Sequence, residues 1–394
     1  MLTSEKNIAD QIKEKYFQQF GHANDLAEPR IFRSPGRINL IGEHTDYNNG
    51  FVLPASVDKA VYFVITPRND NKVILHAADL NDSYSFSTDD LSKPEKSWPL
   101  YQIGVVDQIL KMGKTIGGFQ ATFGGDVPVG AGMSSSAALE CCLLFALNEL
   151  YDLHLDRWTI VKMGQKVENE FVGVQSGIMD QFASAFGKED SVMRLDCRSL
   201  EFEYFPFEMK DYLLVLCDTS VKHSLASSEY NTRRLECEKG VAILQKYGPH
   251  IGSLRDVSRE LVEEHKGELG DVVYRRCKFM TEEILRVQEA CDLLVQGDME
   301  SFGKKMYATH LGLQHEYEVS CAELDFLVEQ TIDNPDVLGA RMMGGGFGGC
   351  TINLVKIEGV DNFEEIMKSV YKEQYDIDLP CYRVKITNGT EELK

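Results

Sequence analysis

The stretch Val127-Pro-Val-Gly-Ala-Gly-Met-Ser-Ser-Ser-Ala-Ala-Leu139 constrains this chain more than any other. Gly130 and Gly132 run straight into Ser134, Ser135 and Ser136, and an apolar helical run follows from Ala137 to Leu150. That order describes a turn feeding the N-terminus of a helix. Glycine lets the backbone take positive φ and lets a ligand come close. The first N–H groups of a helix have no internal partner, and the helix dipole favours negative charge beside them. Serine hydroxyls add donors, and one of them can ligate Mg2+, which takes oxygen ligands. The stretch therefore suits a phosphate; a strand-to-helix turn with serine N-caps is the plainer alternative. Two familiar phosphate loops do not fit. There is no Gly-Lys-Ser/Thr, and Ser135 stands where a G-x-G-x-x-G starting at Gly130 needs its last glycine.

At 394 residues the chain has room for two domains and a large core. A net charge of −21, spread along the sequence, argues against nucleic acid or an anionic membrane as partner. It also means that bound phosphates must be neutralised locally. The ten cysteines show no C-x-x-C and sit mostly in apolar runs, so they read as reduced thiols of a cytoplasmic protein. The N-terminal segment is polar, with Ile8, Ile12, Phe17 and Phe20 in an amphipathic pattern. It reads as a surface helix rather than a signal peptide. No apolar run approaches the roughly 18 residues of a membrane span.

Along the chain, Arg37, Glu43, His44 and Asp46 crowd together just after short apolar pieces. Side chains that each make two hydrogen bonds suit a polyhydroxyl ligand, and a solvated loop with local capping fits equally well. Segments 52–67 and 73–86 alternate as strands do. Trp98 precedes a helix over 101–112, where it can line an adenine pocket or belong to the core. A strand over 118–123 leads into the glycine-serine loop. The next helix, 157–171, carries Glu168 near its C-terminal end, where the dipole disfavours a carboxylate; a surface glutamate is the alternative. Gly177 precedes a short helix that stops at Gly187, with Asp180 in its first turn, where the dipole favours a carboxylate. Past about residue 200 the composition changes. A buried strand over 212–218, a loop over 219–228 and a helix opened by Glu229 and Tyr230 are followed by amphipathic helices at 271–294, 299–315 and 322–331. His310 and His315 read as surface or packing residues. Gly344 to Gly349 matches G-x-G-x-x-G, yet it leads into a strand at 351–355. It reads as a glycine-rich turn between strands, not a dinucleotide fold. A helix over 363–375 and a strand over 382–386 close the chain.

Pro128-Val-Gly-Ala-Gly-Met-Ser-Ser-Ser136 resembles the second motif of the GHMP kinases at every position, and the glycine-rich turn resembles their third. Gly36-Arg-Ile-Asn-Leu-Ile-Gly-Glu-His-Thr-Asp-Tyr47 resembles the signature of the galactokinase family within them, and Gly177-Ile-Met-Asp-Gln181 its catalytic segment. One departure is Ser176, where the family usually has cysteine; it is expected to change packing or hydrogen bonding, not chemistry. The resemblance covers essentially the whole chain. It implies an α+β, two-domain GHMP kinase fold with the active site in the interdomain cleft. The N-terminal domain would be residues 1–200 and the C-terminal domain 201–394, with the last strand free to return to the first.

The resemblance also implies a reaction, phosphorylation of the anomeric hydroxyl of α-D-galactose by ATP. ATP would lie on Gly130, Ala131, Gly132, Met133, Ser134, Ser135 and Ser136, with Trp98 near the base, and Ser136 and Glu168 would hold Mg2+. Asp180 would accept the hydroxyl proton and Arg37 would stabilise developing negative charge. Glu43, His44, Thr45, Asp46, Gly177 and Tyr230 would read the sugar. Relatives acting on N-acetylgalactosamine or arabinose could share those polar groups. A non-catalytic galactose sensor should carry a damaged serine loop or lack the Arg/Asp pair, and here both are intact. The expected partners are small molecules, with no nucleic acid and no membrane, and the working unit is expected to be a cytoplasmic monomer.

Overall fold

α1 (Leu2–Phe20) turns Ala9, Ile12 and Tyr16 inward, a three-and-four spacing that makes one helical face. They pack on Ala60, Tyr62 and Val64 of the sheet that follows. That sheet draws on β1 (Arg30–Asn39), then, after the short β2 (Phe51–Val52), on β3 (Pro54–Pro67) and the hairpin β4 (Lys72–Ala77) and β5 (Asp82–Ser87). α2 (Pro99–Lys111) precedes β6 (Phe119–Gly125). α3 (Ser135–Leu150), α4 (Arg157–Lys166) and α5 (Met179–Phe186) lead to the hairpin β7 (Ser191–Asp196) and β8 (Phe202–Pro206). The second half opens on β9 (Tyr212–Lys222). It continues through α6 (Ala226–Leu244), α7 (Arg259–Glu264), α8 (Lys266–Gln296), α9 (Met299–His315) and α10 (Ala322–Glu329). It ends with the hairpin β10 (Val337–Met342) and β11 (Gly348–Lys356), then α11 (Val360–Tyr375), β12 (Cys381–Val384) and β13 (Glu391–Leu393). This computed structural model describes residues 2–22, 26–128, 130–174, 176–222 and 226–394.

The strands form a mixed sheet in the order β13-β1-β3-β6-β4-β5, in which β4 and β6 run parallel, and a sheet in the order β10-β11-β9-β12. A small third sheet is β2-β7-β8. β13 brings the end of the chain back onto β1, fastened by Arg30 to Glu392 at 2.7 Å. β1 and β3 turn Phe32, Ile38, Phe63 and Ile65 into a core shared with Val105 and Ile109 of α2 and Leu143 and Leu147 of α3. Because α3 is apolar nearly all round, it is buried along most of its length and gives its N-terminus a rigid mount. The same core takes Leu214, Phe302 and Ile352 from the second half, so the two halves share packing at the cleft.

Two local expectations change, and a third is narrowed. α4 stops at Lys166, and a π-helical turn, Val167–Val172, replaces the expected continuous helix to residue 171. β9 runs on to Lys222 and α6 begins at Ala226, so the expected loop at 219–228 is mostly regular structure, apart from residues 223–225, which lie outside the described ones. His310 is a packing residue: its Nδ1 accepts the Met342 N–H at 3.2 Å and its Nε2 lies 3.4 Å from Asp325. Among the described residues no helix is long and apolar enough to cross a membrane.

Candidate active site

β1 ends beside the start of α3, which brings the first motif onto the second. The Arg37 N–H donates to the Met133 carbonyl at 3.0 Å. A Cβ on Gly36 would stand 2.8 Å from that same oxygen. The Arg37 guanidinium donates from Nε to Asp180 Oδ1 at 2.8 Å and from Nη1 to the Gly132 carbonyl. Burial works against the Arg37 cation, but Asp180, Glu43 and Asp46 outweigh it and its pKa is raised.

The loop itself turns through positive φ at Gly130 (87°), Gly132 (71°) and Ser134 (53°); Val129 lies outside the described residues. Ser134 occupies the N-cap of α3 without capping it. Its hydroxyl donates instead to Asp180 Oδ2. The plain reading of these serines as N-caps therefore fails at Ser134, and the first turn of α3 has no side-chain cap. Such a turn can receive an anion on its N–H groups.

Two residues further on, Ser136 Oγ donates to Glu168 Oε1 at 2.8 Å. Ser176 Oγ donates to Glu168 Oε2, so the residue that departs from the family pattern acts through a hydrogen bond. Glu168 is buried on the π-helical turn, a local widening common at functional sites. Burial raises its pKa, and nearby Asp180 pushes the same way. A buried carboxylate and a hydroxyl converging beside a helix N-terminus are hard oxygen donors short of positive charge. This donor set fits Mg2+.

Across from this corner lies a cavity of about 400 Å3, lined by Arg37, Glu43, His44, Asp46, Gly177, Asp180, Tyr230, Gly344 and Gly345 among others. Glu43 is buried, and its Oε1 accepts from both Arg341 Nη2 and the Gly344 N–H at 2.9 Å. Arg341, fully buried on β10, also donates to the Leu40 carbonyl at 2.6 Å and to the Asn39 carbonyl. His44 Nδ1 meets the Tyr47 hydroxyl at 2.8 Å, and Tyr47 meets the Tyr317 hydroxyl at 2.7 Å. The His44 ring lies 5.0 Å from those of Tyr230 and Tyr317, and burial lowers its pKa to about 4, so the imidazole is neutral at pH 7. Burial pushes Asp46 the other way, up to about 6. A Cβ on Gly177 would fall 1.7 Å from Asp46 Oδ2, so the chain needs glycine there to let the carboxylate in. Gly346 is a second such position: at φ 84° its Cβ would meet the Val319 carbonyl at 2.1 Å.

Two residues singled out from the sequence lie apart from this cavity. The Thr45 hydroxyl, fully buried, donates to the Gly42 and Phe51 carbonyls at 3.0 and 2.5 Å, bracing its own loop from within. Trp98 packs on Phe123 and Tyr84, and its indole N–H donates to Asp82 at 3.0 Å. Sequence reasoning missed Arg341 and Tyr317, and it marked Gly345 only as part of the glycine-rich turn. Only the arginine left a signal, a cation placed inside an apolar strand just before the glycine-rich turn.

Known proteins resemble this sequence and share this fold. The galactokinase galactose-binding signature matches residues 14–67, the GHMP kinase N-terminal domain residues 101–188, and the GHMP kinase C-terminal domain residues 290–373. A galactokinase of Clostridium acetobutylicum is 41% identical over 368 residues, spanning 92% of this chain and 94% of that protein. One of Thermotoga neapolitana is 39% identical over 363 residues, spanning 92% and 99%. The crystal structure of Lactococcus lactis galactokinase complexed with galactose superposes with a TM-score of 0.92 at 36% identity, covering 98% of this chain and 99% of that one. Mevalonate kinase of Methanococcus jannaschii shares the fold at a TM-score of 0.66 and 18% identity, covering 92% and 99%. With the sugar signature, both kinase domains and full-length relatives in agreement, the chain belongs to the galactokinase family of GHMP kinases.

Proposed function

We propose that this chain transfers the γ-phosphoryl group of ATP to the anomeric hydroxyl of galactose, in the cleft between its halves at 1–200 and 201–394. One observation carries the reading. The Arg37–Asp180 pair forms the end of the polar cavity and also holds Gly132 and Ser134 of the glycine-serine loop. A sugar in the cavity and phosphates on the loop would therefore meet at Asp180.

Phosphoryl transfer depends on in-line placement and charge stabilisation more than on covalent help. The loop from Gly130 to Ser136 presents backbone N–H groups to the phosphates. Ser136 and Glu168 would hold Mg2+, which when bound neutralises phosphate charge. Asp180 is fixed through both oxygens and accepts the proton of the anomeric hydroxyl. Arg37 cannot lose its charge and stays beside that carboxylate as negative charge develops. Glu43, His44, Asp46 and Tyr230 read the sugar hydroxyls. An epimer would leave one of these buried groups unpaired, which makes discrimination strong. The site needs no residue from a second copy, a monomeric working unit is the simplest reading, and ten free thiols suit the reducing cytoplasm.

The test is ADP release with ATP and Mg2+ against a panel of sugars, with the product identified by 31P NMR. Galactose-dependent turnover giving a C1 phosphate is expected. Turnover with only N-acetylgalactosamine or arabinose would move the substrate, and tight galactose binding without turnover would favour a sensor.

A further inference from the structure

The backbone that carries Glu43 and His44 is held by a residue of the second half. Glu283, on α8, has no exposed surface. Its Oε1 accepts the N–H of Gly42, the residue just before Glu43, at 2.9 Å. Thr309 of α9, also fully buried, places its hydroxyl 3.0 Å from both Glu283 oxygens, and Arg286 Nη1 donates to Oε2. A buried carboxyl is costly unless its oxygens are met. Here the partners come from the Gly42 loop, from α9 and from α8 itself.

The loop has little freedom at this point. Gly42 takes φ 103°, and a Cβ there would stand 2.7 Å from the Phe51 carbonyl oxygen and 2.9 Å from Val287 Cγ2 of α8. Its own carbonyl accepts from the Thr45 hydroxyl at 3.0 Å. The residue after Thr309 works on the other side of Glu43. His310 accepts the Met342 N–H at 3.2 Å, and Met342 follows Arg341, which clamps the Glu43 carboxyl. Neighbours on a helix point about 100° apart, so α9 reaches both supports from adjacent residues.

We propose that Glu283 is a positioning residue for the sugar: it fixes the Gly42 N–H, and with it the backbone from which Glu43 and His44 enter the cavity. Thr309 in turn holds Glu283 in place. The inference rests on the reading of Glu43 and His44 as groups that bind the sugar. A carboxyl that served only to tie α8 to α9 would need Thr309 and Arg286 but not Gly42. The bond to Gly42 spans 241 residues of chain and joins a helix of the second half to a loop of the first. Arg341 clamps the end of the Glu43 side chain, and Glu283 fixes where that side chain starts.

The experiment compares Glu283→Leu, Glu283→Gln, Thr309→Val and Glu43→Gln in the full chain. Galactose binding is measured by calorimetry, alongside the KM for galactose and the KM for ATP, on protein shown to be folded by circular dichroism. Glu283→Leu should weaken galactose binding tenfold to a hundredfold, roughly the scale of a small misplacement of binding groups. The KM for ATP should stay within about twofold. Glu283→Gln keeps an oxygen for the Gly42 N–H and should recover most of the galactose affinity, even if losing the charge beside Arg286 lowers stability. Thr309→Val keeps the shape, removes one hydrogen bond and should weaken galactose about threefold. Folded Glu283→Leu with the parental galactose constant would overturn the proposal. So would Glu283→Gln as damaging to galactose binding as Glu283→Leu, or a KM for ATP that rises as much as the KM for galactose. If Glu283→Leu does not fold, Thr309→Val carries the prediction from another helix, and parental galactose affinity there would overturn it. Unchanged galactose binding in Glu43→Gln would instead sink the reading of Glu43 as a sugar group, and the inference with it.

Discussion

The polar cavity and the glycine-serine loop meet at Asp180, yet they are built in opposite ways. The cavity is made of side chains held by distant parts of the chain. Glu43 is clamped by Arg341 and Gly344, and His44 is held through Tyr47 by Tyr317. The loop is made of backbone, bent through positive φ at Gly130, Gly132 and Ser134, with α3 behind it. The ligands proposed for the two regions explain the difference. A neutral polyol is recognised hydroxyl by hydroxyl, so its donors and acceptors must be fixed before it arrives. A polyphosphate is recognised by charge, and N–H groups at a helix end supply that with small residues alone.

If the comparison holds, damage to the bracing should show first on the sugar side. The largest effect is expected from Arg341→Leu, which leaves Glu43 buried without its cation. Breaking a buried pair in this way should cost about 3 to 5 kcal/mol in urea unfolding. Calorimetry should show galactose binding lost in whatever folds, and nucleotide binding should fall less. An equal loss of both ligands would break the comparison.

Gly177→Ala comes next. The added methyl collides with the Asp46 carboxylate, and crowding of this kind costs about 1 to 3 kcal/mol. Its signature should be a KM for galactose raised tenfold to a hundredfold, roughly the penalty of a 1 Å misplacement, with the KM for ATP little changed.

A smaller effect concerns pH. Asp46 has a pKa raised to about 6 by burial, so the folded state binds its proton more tightly than the unfolded chain does. Its ionisation therefore destabilises the unliganded protein as pH rises from the ordinary carboxyl pKa through about 6. Asp46→Asn removes that term. The variant should gain about 3 kcal/mol over the parent at pH 7 and only about 0.5 kcal/mol at pH 4, read from paired thermal melts. It should also bind galactose more weakly. A stability gap that narrows as pH rises would contradict the assignment.

The smallest effect tests the metal corner. Ser176→Cys restores the usual family residue but replaces a strong hydroxyl donor to Glu168 with a weak thiol. A rise of no more than about threefold in the Mg2+ needed for half-maximal rate is expected, within the net worth of one hydrogen bond. A change in the KM for galactose instead would place Ser176 on the sugar side.

The two regions also differ in how legible they were from the sequence. The loop is local: glycines, serines and the buried helix that mounts them stand within one short stretch. Arg37, Glu43, His44 and Asp46 were visible as a dense polar run, but their supports were not. Arg341 and Gly344 meet Glu43 across about 300 residues of chain, and spacing along the chain does not report such contacts. Glu140 was hidden for a different reason. It sits in an otherwise apolar run, so the helix reads as plain core, and only the structure shows this carboxyl buried against Gln181 of α5. The π-helical turn carrying Glu168 left no sign either, since the segment 157–171 has the periodicity of an ordinary helix. Thr45 and Trp98 show the reverse case, residues that the sequence marks and that do not line the cavity. Both belong to stretches that match the family, yet the Thr45 hydroxyl braces its own loop and Trp98 packs on the sheet.

The account's central claim is that Asp180 joins the two regions and acts on the sugar there. The direct test is Asp180→Asn, with galactose binding measured by calorimetry and turnover measured in the same preparation. Galactose should bind within about tenfold of the parent while kcat falls by about 10^3, the scale of a lost general base. Turnover within about tenfold of the parent would contradict the claim, because a carboxamide cannot take the proton.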